Sequence, residues 1–124
     1  AERARIWTAK MKDIHEFLST IGPVRPDGPD AEQTVTYHES CHLCHGQKIT
    51  KQPRELLKLI PRLKLVELPE SSWCCGSAGI YNLVQPEEAA ALGRLKADDL
   101  AGSGAAIAVS ANIGCTLQIR RHQS

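Results

Sequence analysis

Three short runs suited to β-strands recur along this chain, each separated from the next by a stretch of helical periodicity, and that alternation restricts the fold more than any other feature. Thr34-Val35-Thr36-Tyr37 is β-branched and aromatic, the composition of a short strand. Leu63 to Leu68 alternates apolar and charged residues and stops at Pro69. Ala105 to Ala111 (AAIAVSA) is a continuous, mostly small apolar run that reads as a buried third strand. Between the first two, Pro53 suits the first turn of a helix carrying Leu56, Leu57 and Ile60 as far as Pro61. Between the second and third, Pro86 opens a helix with Glu87 and Glu88 in its first turn, where acidic charge favours the helix dipole. That helix continues through Leu92, Leu95 and Leu100 to Gly102. Strands alternating with helices favour a parallel sheet joined by right-handed crossovers. The expected fold is α/β, a three-stranded parallel sheet built as β-α-β-α-β, with an extra N-terminal helix and a short C-terminal helix.

The N-terminal helix is expected over residues 1–21, where Trp7, Met11, Ile14, Leu18 and Ile21 share one face at three-four spacing and Gly22-Pro23 ends the run. Residues 23–33 hold three prolines and Gly28 and read as a linker. Residues 41–51 read as a loop, residues 70–83 as a loop or short turns, and Asn112 to Arg120 as a turn into the last helix. The 124 residues suit one domain, residues 1–124, with a leading helix over 1–22 and a core over 34–124. Aromatics are only 4% against 42% apolar residues, so the core must be built from Leu, Ile, Val and Ala. Fifteen basic residues against fourteen acidic ones leave no basic stripe for a nucleic acid. No run of about 18 apolar residues exists, so no transmembrane segment is expected. The charged, helix-patterned N-terminus does not read as a signal peptide.

Against this frame the cysteines fall at regular places. Cys41 follows the first expected strand, Cys74 and Cys75 follow the second, and Cys115 follows the third. In a parallel sheet those three loops leave the same edge, where α/β folds carry their functional crevice. Clustered thiolates repel one another and call for a cation, and soft thiolates select zinc or iron–sulfur clusters. Gly76 and Gly79 leave room for backbone beside a bulky group, and Cys115 sits near a helix N-terminus, which favours a thiolate. The spacing is not that of a zinc finger with two close pairs, since only Cys41-His42-Leu43-Cys44 has the C-x-x-C form. Cys44, His42 and His45 are possible extra ligands. His38 also borders Cys41 and could be a zinc or cluster ligand in the same way, with a polar loop or supporting role as the alternative for each histidine. Trp73 reads as a packing residue that shields the site from water. Tyr37 and Tyr81 read as packing residues, and Arg120 and Arg121 as a solvated helix end.

Tyr37-His38-Glu39-Ser40-Cys41-His42-Leu43, His45-Gly46-Gln47-Lys48-Ile49, Cys74-Cys75-Gly76-Ser77-Ala78-Gly79 and Ala111-Asn112-Ile113-Gly114-Cys115 together resemble the cysteine-rich CCG domain. The likeness is strongest to the C-terminal such domain of glycolate oxidase iron–sulfur subunits. Related domains occur in lactate-utilisation proteins and in heterodisulfide reductases. The resemblance implies an iron–sulfur cluster, of the 4Fe-4S type, bound by Cys41, Cys74, Cys75 and Cys115. It implies a non-catalytic electron-transfer part of a glycolate oxidase (glycolate dehydrogenase) complex, taking electrons from flavin-containing subunits and passing them to an acceptor. It further implies a cytoplasmic place, at the inner face of the membrane through that complex. Some relatives end in C-x-x-C, whereas Cys115 is followed here by Thr116, Leu117 and Gln118. The full subunit would begin with ferredoxin-like motifs and another such domain, so the chain reads as a piece of a longer subunit.

Two other readings stay open. A structural zinc module would use the same thiolates without redox chemistry. A thiol–disulfide (heterodisulfide reductase-like) redox domain would use the adjacent Cys74 and Cys75, whose disulfide would be strained and oxidising.

Overall fold

Strand β1, Gln33–His38, lies at the centre of a three-stranded sheet and pairs in parallel with β2, Leu63–Leu65, on one side and β3, Ile107–Ser110, on the other. The computed structural model describes residues 1–123. Val35 stands opposite both Leu65 and Ile107, and the pairing with β3 continues to His38 opposite Ser110. Val35, Thr36, Tyr37 and His38 are all buried, so both faces of β1 are covered.

The remaining elements are α1 (Glu2–Lys10), α2 (Ile14–Ile21), a π-helical turn (His42–Gln47), α3 (Lys51–Lys58), a short α4 (Tyr81–Val84), α5 (Pro86–Gly102) and α6 (Ile113–His122). The first crossover, through α3, steps to one side of β1, and the second, through α5, steps to the other. Two steps in opposite directions with the same right hand require helices on opposite faces. The packing agrees, with α3 against α2 in one layer and α5 against α6 in the other. The alternation of side chains along β1 assigns its residues accordingly. Tyr37 faces the first layer, where the Arg54 guanidinium of α3 lies 5.5 Å from its ring centre. His38 faces the second, beside Cys115 of α6. A core cluster in that layer joins Leu68, Leu100 and Ile119 to Cys75 and Cys115, so two thiols form part of the apolar interior.

The expected parallel β-α-β-α-β sheet, with helices before and after it, is the observed one. Four details differ. The leading helix is two, because Asp13 starts α2 afresh: its carboxylate accepts from the His15 N–H at 2.9 Å while the Asp13 N–H donates to Glu16. This capping box satisfies two N–H groups that a continuous helix would have bonded internally. The second strand ends at Leu65 rather than Leu68. The third is shorter than the apolar run and lies at a sheet edge, with Ile107 and Ala108 exposed. The stretch after Cys41 is a π-helical turn, not an open loop.

Candidate metal centre

All three strands point the same way, so their following segments meet beyond the carboxyl edge of the sheet. The chain steps from β1 to β2 on one side and then crosses β1 to β3 on the other, and the crevice of an open α/β sheet lies at such a point. Ionic contacts fix this edge in place. The Glu39 N–H donates to the Ser71 carbonyl at 3.0 Å, tying the end of β1 to the turn that precedes the cysteine pair. Arg54 donates to the buried Glu39 carboxylate, to Glu67 through Nε at 2.9 Å and to the Thr50 carbonyl at 2.8 Å. Burial alone would lower the Arg54 pKa, but its bonds to Glu39 and Glu67 raise it. On the other side Lys96, buried in α5, donates to the Glu70 carbonyl and to Asp99.

The cysteine pair sits on a turn that only close packing explains. Gly76 has φ +87°, and a Cβ there would run into the Ala89 carbonyl oxygen, with the Ala89 Cα 3.2 Å away. The turn therefore lies flat against the first turn of α5, and its N–H donates to Cys74 Sγ at 3.3 Å. Opposite it, a Cβ on Gly114 would come within 2.9 Å of Ser77 Oγ. Cys74-Cys75-Gly76-Ser77 thus packs on Asn112-Ile113-Gly114-Cys115. Asn112 caps α6 by accepting from the Cys115 N–H at 3.1 Å, which sets Cys115 in the first turn of that helix.

Four of the five cysteines come together. Cys75 and Cys115 are buried, and Cys41 and Cys74 are half-buried. The Cys115 thiol donates to Cys75, which holds the Cys75 pKa well below the usual thiol range against the opposing effect of burial; the nearby His38 lowers it further. The same hydrogen bond, then burial, pushes Cys115 up, with Cys41 and Cys74 adding repulsion. Burial pushes the Cys74 thiol up, and its neighbours Cys75 and Cys41 add to the shift. Cys75 and Cys115 are thus hydrogen-bonded to each other, and thiols so placed release protons on taking a cation.

Cys44 stands apart. Burial raises its pKa, followed by the charge of Glu39, and its Sγ lies 3.8 Å from His45 Nδ1. His42 and His45 are exposed, and His45 approaches the Ser72 carbonyl at 3.4 Å. Trp73 is 57% exposed. It walls a cleft of about 380 Å³ with His45, Cys74, Leu95 and Lys96, so it borders the centre rather than sealing it from water. Gln118 follows Cys115 by three residues, one turn further along α6. Its buried amide donates to the Ala89 carbonyl at 3.0 Å and joins α6 to α5.

Of the three histidines around Cys41 that the sequence offers as ligands, His38 is the one the fold buries at the centre. It is 1% exposed, neither ring nitrogen meets an oxygen or nitrogen partner, and the Cys75 thiol is the polar group it faces. A ring nitrogen of His38 and the sulfurs of Cys75 and Cys115 all lie within 4.8 Å of one another. The signal available in the sequence was the strand alternation, which sets His38 on the same face as Thr36 and opposite to Tyr37.

A doubly covered parallel sheet with thiols gathered at its carboxyl edge defines a cysteine-rich α/β domain. The chain belongs to the CCG family, described as a cysteine-rich domain, whose pattern matches residues 35–120. It is 36% identical over 121 residues to the probable glycolate oxidase iron–sulfur subunit of Bacillus subtilis, covering 97% of this chain and 27% of that one. It is 37% identical over 111 residues to an uncharacterised iron–sulfur protein of Methanococcus maripaludis, covering 90% of this chain and 22% of that one. It is 40% identical over 87 residues to one of the subunits of the fumarate reductase (CoM/CoB) of Methanothermobacter marburgensis, covering 69% and 17%. The chain therefore spans about a quarter or less of these relatives' length. No solved structure matches it.

Proposed function

We propose that this domain carries an iron–sulfur cluster of the 4Fe-4S type, held by Cys41, Cys74, Cys75 and Cys115. In this reading it serves as an electron-transfer part of a glycolate oxidase-type complex that oxidises 2-hydroxy acids. The observation that carries the reading is the meeting of those four thiols at one edge of a parallel sheet. The donor set suits such a group: four soft ligands, two of them in an apolar core, and a buried imidazole beside them. Relatives named as iron–sulfur proteins and as subunits of oxidoreductases support the same reading. A bound cluster would supply one-electron chemistry, with its potential set by burial and by hydrogen bonds to sulfur. The chain's own part is to gather the thiolates, keep water from Cys75 and Cys115, and leave Cys74 at the mouth of the cleft beside Trp73.

The electron donor in this reading is a flavin-bearing subunit and the location is cytoplasmic, at the membrane's inner face through the complex. Among the described residues no helix is long and apolar enough to cross a membrane. One observation favours a zinc centre instead, the compact His38, Cys75 and Cys115 set, whose size suits a single ion.

The test is reversible reduction of anaerobically reconstituted protein by a photoreduced flavin, followed by visible absorption and electron paramagnetic resonance. Bleaching with a new paramagnetic signal, both reversed by an oxidant, is the expected result. A metal-loaded protein that stays spectroscopically silent through the cycle would overturn the electron-transfer role.

A further inference from the structure

The two edges of the sheet are built differently. β2 has three residues with the exposed Lys64 at its middle, and a short strand carrying a lysine is how natural sheets blunt an open edge. β3 has no such device. The run from Ala105 to Ala111 holds no charge and no proline, and Ala106, Ile107 and Ala108 are exposed in succession. Continuous apolar runs of this kind belong to the covered strands of a parallel sheet.

The backbone of β3 is paired on one side. The Val66 N–H donates to the Val35 carbonyl at 2.7 Å, so Val35 turns its backbone groups to β2, while Thr36 and His38 turn theirs to β3. In a parallel ladder a residue bonds the two neighbours of its register partner, and the partner of Thr36 is Ala108. Ile107 and Val109 therefore bond β1, and Ala108 turns its N–H and carbonyl to the free edge.

The place of α6 determines what reaches that edge. The crossover through α5 carries the chain past β1 to β3, and α6 packs on α5 in the same layer. A right-handed crossover through a helix on that face moves the chain the same way again. The next parallel strand reached through α6 thus lands beside β3. There it meets a groove of about 340 Å³ walled by Leu100, Ile107, Val109, Thr116 and Ile119.

We propose that the free edge of β3 is the docking site of a fourth parallel strand, supplied by the segment that follows α6 in a longer protein, with small or β-branched apolar side chains turned into the groove. The inference rests on reading the chain as a piece of a longer subunit, since it spans 27% of the Bacillus subtilis relative, and it is independent of the cluster reading. The added strand gives the Ala108 backbone its partners. It also covers the groove beside Ile119, which clusters with Cys75 and Cys115, and so keeps water from that side of the thiols.

The experiment compares amide hydrogen exchange, residue by residue, in the intact gene product and in residues 1–124. Protection of Ile107 and Val109 by β1 in both samples shows that the sheet is formed. Ala108 is expected to exchange freely in residues 1–124 and to slow on the order of 100-fold in the intact protein. Ala108→Pro removes an outward N–H and no bond to β1, so it should leave the unfolding midpoint of residues 1–124 unchanged and lower that of the intact protein. Val109→Pro breaks the ladder to β1 and should lower both. Mass spectrometry separates the two ways of failing. A gene product with no chain beyond α6 sinks the longer-subunit reading and the proposal together. One that continues past α6 but leaves Ala108 as exposed as in residues 1–124, or as tolerant of proline, overturns the docking alone. Protection of Ala108 that appears in residues 1–124 with rising concentration and a dimer's mass assigns the edge to a second copy and also overturns it.

Discussion

Replacing Gly76 by alanine tests the idea that the cysteine turn is held by a close approach of two backbones. The residue sits at φ +87°, so any L side chain there is strained by about 1–2 kcal/mol. The added Cβ also meets the Ala89 carbonyl, with Ala89 C at 3.1 Å and Cα at 3.2 Å. These are atoms of the first turn of α5 and cannot swing aside. Forcing a packed segment to shift costs about 1–3 kcal/mol more. Gly79 provides the control, because it has φ +68° but a Cβ added there would meet nothing within 4 Å. Gly79→Ala should therefore lose about 1–2 kcal/mol and Gly76→Ala roughly 2–5 kcal/mol. With a urea dependence of about 2 kcal/mol per M, the extra loss lowers the unfolding midpoint of Gly76→Ala by about 0.5–1.5 M below that of Gly79→Ala. Urea titration followed by circular dichroism under anaerobic conditions measures it. Gly76→Ala should also bind less metal, since Cys75 moves with the turn. Equal midpoints for the two variants would refute the close-approach argument.

Other outcomes follow from the same structure. Arg54→Ala leaves the Glu39 carboxylate buried without its partner and should destabilise the fold by about 3–5 kcal/mol in chemical unfolding, with Glu39→Gln in the same chain recovering part of the loss. Asp13→Ala removes the cap of α2 at a loss of about 1 kcal/mol. Burial would raise the Asp13 pKa, but bonds from the His15 N–H and ring lower it on balance. A lowered folded-state pKa means that the stabilisation is fully present above the unfolded aspartate value of about 3.9 and fades as pH falls through the folded value. The gap in stability between Asp13→Ala and the parent should accordingly close on acidification below pH about 4, read by thermal unfolding across pH. Cys44→Ser should leave metal content unchanged, whereas serine at Cys41, Cys74, Cys75 or Cys115 should lower it, as measured by elemental analysis of reconstituted protein.

The layered architecture was legible because strand and helix patterns alternate and a parallel sheet is the simplest way to connect them. The gathering of Cys41, Cys74, Cys75 and Cys115 followed from that alone, since parallel strands release their loops at one edge. Strand order was not legible. The AAIAVSA run has the composition of a buried strand, yet β3 ends at an edge, because β1 takes the centre and pairs on both sides. The break between α1 and α2 was hidden by an apolar face that runs on from Trp7 to Ile21, although Asp13 and Glu16 have the spacing of a capping box. Trp73 was read as a shield from its place beside Cys74, but tertiary packing leaves it largely exposed. Cys44 shares a C-x-x-C with Cys41, and nothing in that spacing discloses a π-helical turn that directs it toward Glu39 and His45. His38 looked like one of three loop histidines. Only the extent of β1, one residue beyond Tyr37, turns it into a buried strand residue facing α6.

The central claim, that this domain holds an iron–sulfur cluster, is tested most directly by iron, zinc and acid-labile sulfide analysis of protein prepared without oxygen, with a visible spectrum alongside. Roughly four irons and four sulfides per chain, with broad absorption in the blue, are the predicted result. Zinc without sulfide, or no metal with Cys74 and Cys75 joined or freely reactive, would contradict it.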